Sequence, residues 1–294
     1  MTRPLDRAPF PISRRGFVLI AISVLGIYAF LALELTPGGL TPGAGGIQIA
    51  REFFSAALSP SFEYEAEFVP AGAQPFLSRV FDAVRRTVVF AAAGMSIALV
   101  GGLLLGLLAS SSTWSTDRST RGSVLSNVAR SSIGRGIQAA TRLLIAGMRS
   151  IHELLWAVIF LAAFGLNTAS AVIAIAIPFA GVLAKVFSEL LDEAPDHAAF
   201  ALRATGASRL QSIIFGRVPA ALPDMAAYSF YRLECAVRSS AVLGFFGFET
   251  LGYYIKASFE NLHYREVWTY LYALLIVVLV FEFWSAALRK RFTV

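Results

Sequence analysis

Six apolar runs, each near twenty residues and each bounded by charge, divide this chain into predicted membrane spans. A helix rises about 1.5 Å per residue, so about 20 apolar residues cross the roughly 30 Å of hydrocarbon in a bilayer. The runs cover residues 16–35, 87–109, 143–165, 168–191, 220–243 and 267–288. The first is longer than the roughly 7–15 apolar residues of a secretory leader and lacks a small-x-small exit, so it reads as an uncleaved span. Gly165, Leu166 and Asn167 leave room only for a tight turn between the third and fourth runs, which predicts a helical hairpin.

The charges between the runs set the orientation. Arg3, Arg7, Arg14 and Arg15 precede the first span, and Arg289, Lys290 and Arg291 follow the last. Segment 110–142 holds Arg118, Arg121, Arg130, Arg135 and Arg142 against Asp117 alone, whereas 36–76 holds Glu52, Glu63, Glu65 and Glu67 against Arg51. Basic loops stay in the cytoplasm. Both termini, 110–142 and 192–217 are therefore expected inside, and 36–76 and the aromatic, acidic segment 245–266 outside. Arg79, Arg85 and Arg86 stand at the outer end of the second span against this rule and are outweighed by 110–142. That loop is also Ser-rich and reads as a long connector or a surface-lying helix.

Composition narrows the class. The 294 residues are 56% hydrophobic and 15% charged, with a mean hydropathy of +0.66, where soluble domains carry about 25% charged residues. A soluble enzyme, a disordered chain and a disulfide scaffold are excluded; the single cysteine, Cys235, has no partner within the chain. The net charge of +6 raises nucleic acid as a partner, but the basic residues bracket the apolar runs and read as topology. No internal repeat supports an inverted-repeat transporter. His152, His197 and His263 lie at no metal-ligand spacing, so neither a metal nor a catalytic constellation is expected. A membrane-embedded enzyme and a polytopic scaffold without transport remain as alternatives from other classes.

The informative soluble segment is 192–217. An Ala-rich run after Pro195 favours helix, with Pro195 expected in its first turn. Gly206 suits a left-handed C-cap, and Ser208 with Gln211 matches a capping box. Two short helices meeting at Gly206 are predicted, with Pro219 and Pro223 marking return to the membrane. Such a unit is an ordinary connector or a docking element; Arg203, Arg209 and Arg217 are too few for a phosphate-tracking DNA-binding face.

Ala201, Leu202, Arg203, Ala204, Thr205, Gly206 and Ala207, followed by Val218 and Pro219, resemble the coupling motif of ABC importer permeases: EAA, three residues, Gly, nine residues, Ile, one residue, Leu-Pro. The motif's Gly falls on Gly206 and its Pro on Pro219. Phe200 stands in place of its Glu, Gly216 of its Ile and Val218 of its Leu. Arg149-Ser150-Ile151-His152-Glu153-Leu154-Leu155-Trp156-Ala157 is similar to the Arg-x-Ile-Pro-Glu-Leu-x-Trp-Ala signature of phosphonate-type permeases, with His152 for Pro. Tyr231 to Arg238 resembles their Tyr-Arg-x-Glu-x-x-x-Arg, and Tyr264-Arg265-Glu266-Val267 the start of their last span. The run from Leu243 to Glu249 departs from their Gly-rich sequence.

This resemblance implies an all-α helix bundle of six spans forming one permease domain over 1–294 in a bacterial inner membrane, with 192–217 as coupling helices. It implies import of phosphonate or a related phosphorus oxyanion, with another oxyanion or an amino acid as the alternative. The implied partners are ABC ATPase subunits, an extracytoplasmic binding protein, a second permease copy or paralogue, and membrane lipid. The chain holds no P-loop pattern, so ATP and Mg belong to the ATPase partner and this chain binds no cofactor.

Charges inside a span cost roughly 2.5–3.5 kcal/mol on insertion scales and need a partner or water. Arg149 with Glu153, Lys185 with Glu189 and Glu234 with Arg238 each sit four apart, a pairing distance on a helix. Arg232 points nearly opposite Glu234 and Arg238. Arg232, Glu234 and Arg238 are candidates for the substrate path; a purely structural bridge is the competing reading for each pair. Glu282 lacks a local partner.

Overall fold

The computed structural model describes residues 14–34, 38, 41, 43–114 and 124–292, and among them every regular element is helical. Arg3, Arg7, Arg118 and Arg121 lie outside the described residues, as do the side chains of Arg14, Arg130, Arg289 and Arg291. The chain divides into two units between Ser55 and Ala56. The first unit holds α1 (Arg14–Ala32) and nearly all of α2 (Ala44–Ala56). By length and composition α1 is apolar enough to cross a membrane.

In the second unit α3 (Phe76–Ala109), α4 (Ser111–Trp114), α5 (Val124–Ser150), α6 (Glu153–Phe164) and α7 (Thr168–Glu193) come first. Then follow α8 (His197–Ala204), α9 (Arg209–Ser212), a π-helical turn (Ile213–Arg217), α10 (Val218–Val242), a 3-10 turn (Leu243–Phe246), α11 (Leu251–Glu260) and α12 (Tyr264–Phe292). The core is the pairing of α3 with α7. Lipid supplies no hydrophobic drive between helices, so close packing must hold them together, and small residues allow it. Gly94, Ala98, Gly102 and Gly106 repeat every four residues along one buried face of α3. A Cβ on Gly102 would stand 2.6 Å from the Leu183 Cβ, and one on Gly94 2.8 Å from Ile175 Cγ2. Gly181 plays the same part on α7, where a Cβ would meet Met148 of α5 at 2.8 Å.

At 34 residues α3 is about 51 Å long, so it overruns the hydrocarbon and starts eleven residues before the expected span. Arg79, Arg85 and Arg86 sit on that overrun and are satisfied there. The Arg79 guanidinium lies 4.7 Å from the centre of the Tyr64 ring, Arg85 is 3.7 Å from Asp82, and Arg86 pairs with Glu249.

Four helices among the described residues are long and apolar enough to cross a membrane, five if the broken pair α5–α6 is one span. Two expected spans take other forms. The run 143–165 is not one helix: α5 stops at Ser150 and α6 leaves at 91°. His152 causes the restart, with extended backbone (φ −65°, ψ 146°) and Nδ1 accepting the Leu154 N–H at 3.3 Å as an N-cap. Its role is a cap, where the sequence suggests a polar residue within a helix. The run 220–243 is a helix of 25 residues, long enough to cross, but Asp224, Arg232, Glu234 and Arg238 set it apart from the apolar four. The hairpin turn forms as expected, with Gly165 at φ +73° and Asn167 capping α7. Residues 124–142, expected as connector or surface helix, are the first part of α5.

Candidate functional site

The 192–217 segment folds as two short helices around a left-handed glycine. Gly206 has φ +90°, the Ala207 N–H donates to the Leu202 carbonyl and the Gly206 N–H to Arg203, which closes the C-terminus of α8. Ser208 then opens α9 with both halves of the capping box present. Pro195 lies ahead of α8 rather than in its first turn. The helix begins at His197, and the N-cap Asp196 gives its carboxylate to Arg217 instead of to an amide.

Where the motif has Ile, Gly216 brings the π turn against α8; a Cβ there would lie 2.8 Å from the Ala199 N and Cα. Ser212 Oγ donates to the Ala199 carbonyl at 3.0 Å and the Arg203 Nε to Ser212 Oγ at 3.3 Å, so the two helices are cross-tied. Ala201, Ala204, Thr205 and Gly206 are exposed, and Leu202, Arg203 and Ala207 half-buried. Phe200 is 74% exposed, Leu210 63% and Phe215 69%. Exposed large apolar side chains of this kind are a feature of interaction surfaces.

This segment is tied to both core helices at one junction. Asp192, near the end of α7, receives four hydrogen bonds from the turn after α3: Ser110 Oγ (2.6 Å), the Ser111 N–H (3.0 Å), Ser111 Oγ (2.5 Å) and the Ser112 N–H (2.9 Å). Arg209 of α9 donates to the Ser112 carbonyl at 3.1 Å, and Arg217 to the Leu191 carbonyl at 3.1 Å. The 192–217 segment is thereby tied to the ends of both α3 and α7. Sequence reasoning missed Asp192. Its only signal was an acid opposite a Ser-rich run, and its partners are 80 or more residues away.

Of the intramembrane charges, Glu234 and Arg238 come together: Arg238 Nη2 donates to Glu234 Oε1 at 2.7 Å, with the Glu234 side chain 12% and the Arg238 side chain 53% exposed. Arg232 is apart from them, its Nε donating to the Tyr228 hydroxyl at 2.8 Å and its guanidinium 5.2 Å from that ring. The expected Arg149–Glu153 pair does not form, because the bend after Ser150 turns the two residues onto different helices. Glu153 Oε1 accepts instead from Ser239 Oγ at 2.9 Å, and its other oxygen lies 3.6 Å from His152 Nε2. The start of α6 thus touches α10 at the residue after Arg238. Lys185 pairs with Glu189, and Glu282 is exposed with no ion pair among the described residues.

Above these charges a buried polar relay fixes α3, α10 and α11. Ser240 Oγ donates to the Thr87 carbonyl at 2.8 Å, the Leu251 N–H to Thr87 Oγ1 at 3.0 Å and Thr250 Oγ1 to the Ala241 carbonyl at 3.0 Å. Gly244 lets the chain double back, since a Cβ there would stand 2.0 Å from the Tyr253 N.

The family described as "Binding-protein-dependent transport system inner membrane component" matches residues 76–294. A phosphite transport system permease protein of Stutzerimonas stutzeri is 34% identical over 154 residues, covering 51% of this chain and 55% of the relative. A phosphate-import permease protein of Mycolicibacterium smegmatis is 29% identical over 154 residues, covering 52% of this chain and 29% of that protein. The match to these curated relatives therefore spans about half of their length or less. Among solved structures, an inward-facing form of the MetNI methionine ABC transporter aligns with TM-score 0.59 at 22% identity, over 76% of this chain and all of that one.

Proposed function

Because the chain belongs to the binding-protein-dependent transport system inner membrane components, we propose that it is the permease subunit of an ATP-driven importer of a phosphorus oxyanion. The observation that carries this reading is the cross-tied α8–α9 unit with its exposed Phe200, Leu210 and Phe215. It presents a stiff face to a separate ATPase and is stapled to α3 and α7 through Asp192, Arg209 and Arg217. Closure of two ATPases would push these units, and the core helices would tilt to open the path alternately to each side. ATP and Mg stay on the ATPase, and this chain breaks no bond.

The same reading places both termini and 192–217 in the cytoplasm, and gives the permease a second copy or paralogue and a binding protein outside. Ala201 and Ala204 serve as small contacts in the ATPase cleft, and Gly206 holds the turn between them and α9. For the solute, Arg238 offers a half-exposed guanidinium, a geometry suited to paired oxygens of an oxyanion. Glu234 holds that Arg in place and moderates its grip on the anion. The phosphite and phosphate in the names of the relatives favour this substrate class; the methionine transporter shares the fold alone.

Uptake into proteoliposomes holding this chain, its ATPase and its binding protein tests the assignment. ATP-dependent accumulation of labelled phosphite, phosphate or a phosphonate supports it, and accumulation of methionine but no phosphorus oxyanion refutes the substrate class.

A further inference from the structure

A cavity of about 330 Å³ opens between α5 and α7 at the Asp192 junction, with Arg142, Arg149, Lys185, Glu189 and Asp192 on its walls. Most of these charges are spent locally. Asp192 is filled by its four donors from Ser110, Ser111 and Ser112, and Glu189 is taken by Lys185. Arg142 gives its Nε to the Ala109 carbonyl at 3.0 Å and lies 3.9 Å from Asp192.

Arg149 is the surplus. The bend that starts α6 has removed Glu153, and among the described residues Arg149 makes no ion pair or hydrogen bond. Its stem is packed, since a Cβ on Gly181 would meet its Cγ at 3.1 Å, but its head is exposed. An unpaired guanidinium on a cavity wall is stabilised by an anion, and basic pockets between membrane helices select phosphate groups.

We propose that this cavity binds a phosphate-type oxyanion held bidentately by Arg149, because Arg142, Arg149 and Lys185 outnumber Glu189 and Asp192 on its walls and leave one positive charge for the anion. The chemistry is the same whether the oxyanion is an anionic lipid headgroup or free phosphate. The site does not depend on the transport reading, because binding is measured without ATPase or uptake.

The test is native mass spectrometry of the full chain in nanodiscs of phosphatidylcholine with and without phosphatidylglycerol, beside retention of labelled inorganic phosphate in phosphatidylcholine alone. One phosphatidylglycerol retained above background, about tenfold less on Arg149→Gln and partly restored on Arg149→Lys, assigns the site to lipid. The same pattern with inorganic phosphate assigns it to the free anion. Lys185→Gln gives a second, smaller loss, and melting of each variant in phosphatidylcholine shows that the fold is kept. Retention of neither probe by the wild type, or equal retention by wild type and both Gln variants, overturns the proposal.

Discussion

Gly206 and Arg238 carry the account at the residue scale. Space around Gly206 is open, with nothing within 4 Å of an added Cβ, so any substitution is penalised by the left-handed backbone and not by a clash. That penalty is about 1–2 kcal/mol, enough to loosen the α8–α9 turn without unfolding the spans. Gly206→Val should insert normally and lose most substrate-stimulated ATP hydrolysis, while Gly206→Asn, which tolerates φ > 0, should keep more. Arg238→Gln removes charge-assisted bonds of roughly 1.5–3 kcal/mol and should lower uptake of the oxyanion about tenfold with normal assembly. Arg238→Lys should retain part of the uptake. Normal transport by Arg238→Gln would refute the path role, and failed assembly would favour a structural bridge. The Glu234–Arg238 pair was legible because it needs only helical spacing. Arg149–Glu153 was not, because that spacing holds only within one helix and the His152 cap ends it.

At the scale of elements the small-residue seam between α3 and α7 decides stability. Gly102→Val should push Leu183 and its helix outward and lower the melting temperature, at about 1–3 kcal/mol for overpacking. Gly147→Ala, on the open side of α5 with nothing within 4 Å, should be neutral or slightly stabilising. Asp192→Ala leaves the donors of Ser110, Ser111 and Ser112 without their acceptor and frees the end of α7 from the turn after α3. Its expected signature is more ATP hydrolysed per solute imported, checked by measuring both in the same proteoliposomes; an unchanged ratio would count against the junction as a transmission point. The capping box, the Gly206 turn and the hairpin were legible in the sequence because caps and turns act over a few residues. The Asp192 junction was not, because its partners come together only after α3 and α7 have packed.

On the scale of the whole molecule, apolar runs and loop charge were enough to place the chain in a membrane, and the family match over 76–294 agrees with the motifs that suggested it. Apolarity was a weaker guide to form. It joined α5 and α6 into one span, and it placed α10, with Asp224 and three further charges, beside helices of quite different polarity. The central claim is that this membrane bundle is worked by an ATPase docked on α8 and α9. Its most direct test is ATP hydrolysis in complexes purified in mild detergent through a tag on this chain, wild type beside Gly206→Val. The account predicts an ATPase held by the wild type and held much more weakly by the variant. A wild-type preparation that carries no ATPase, or a variant that carries as much, would contradict it.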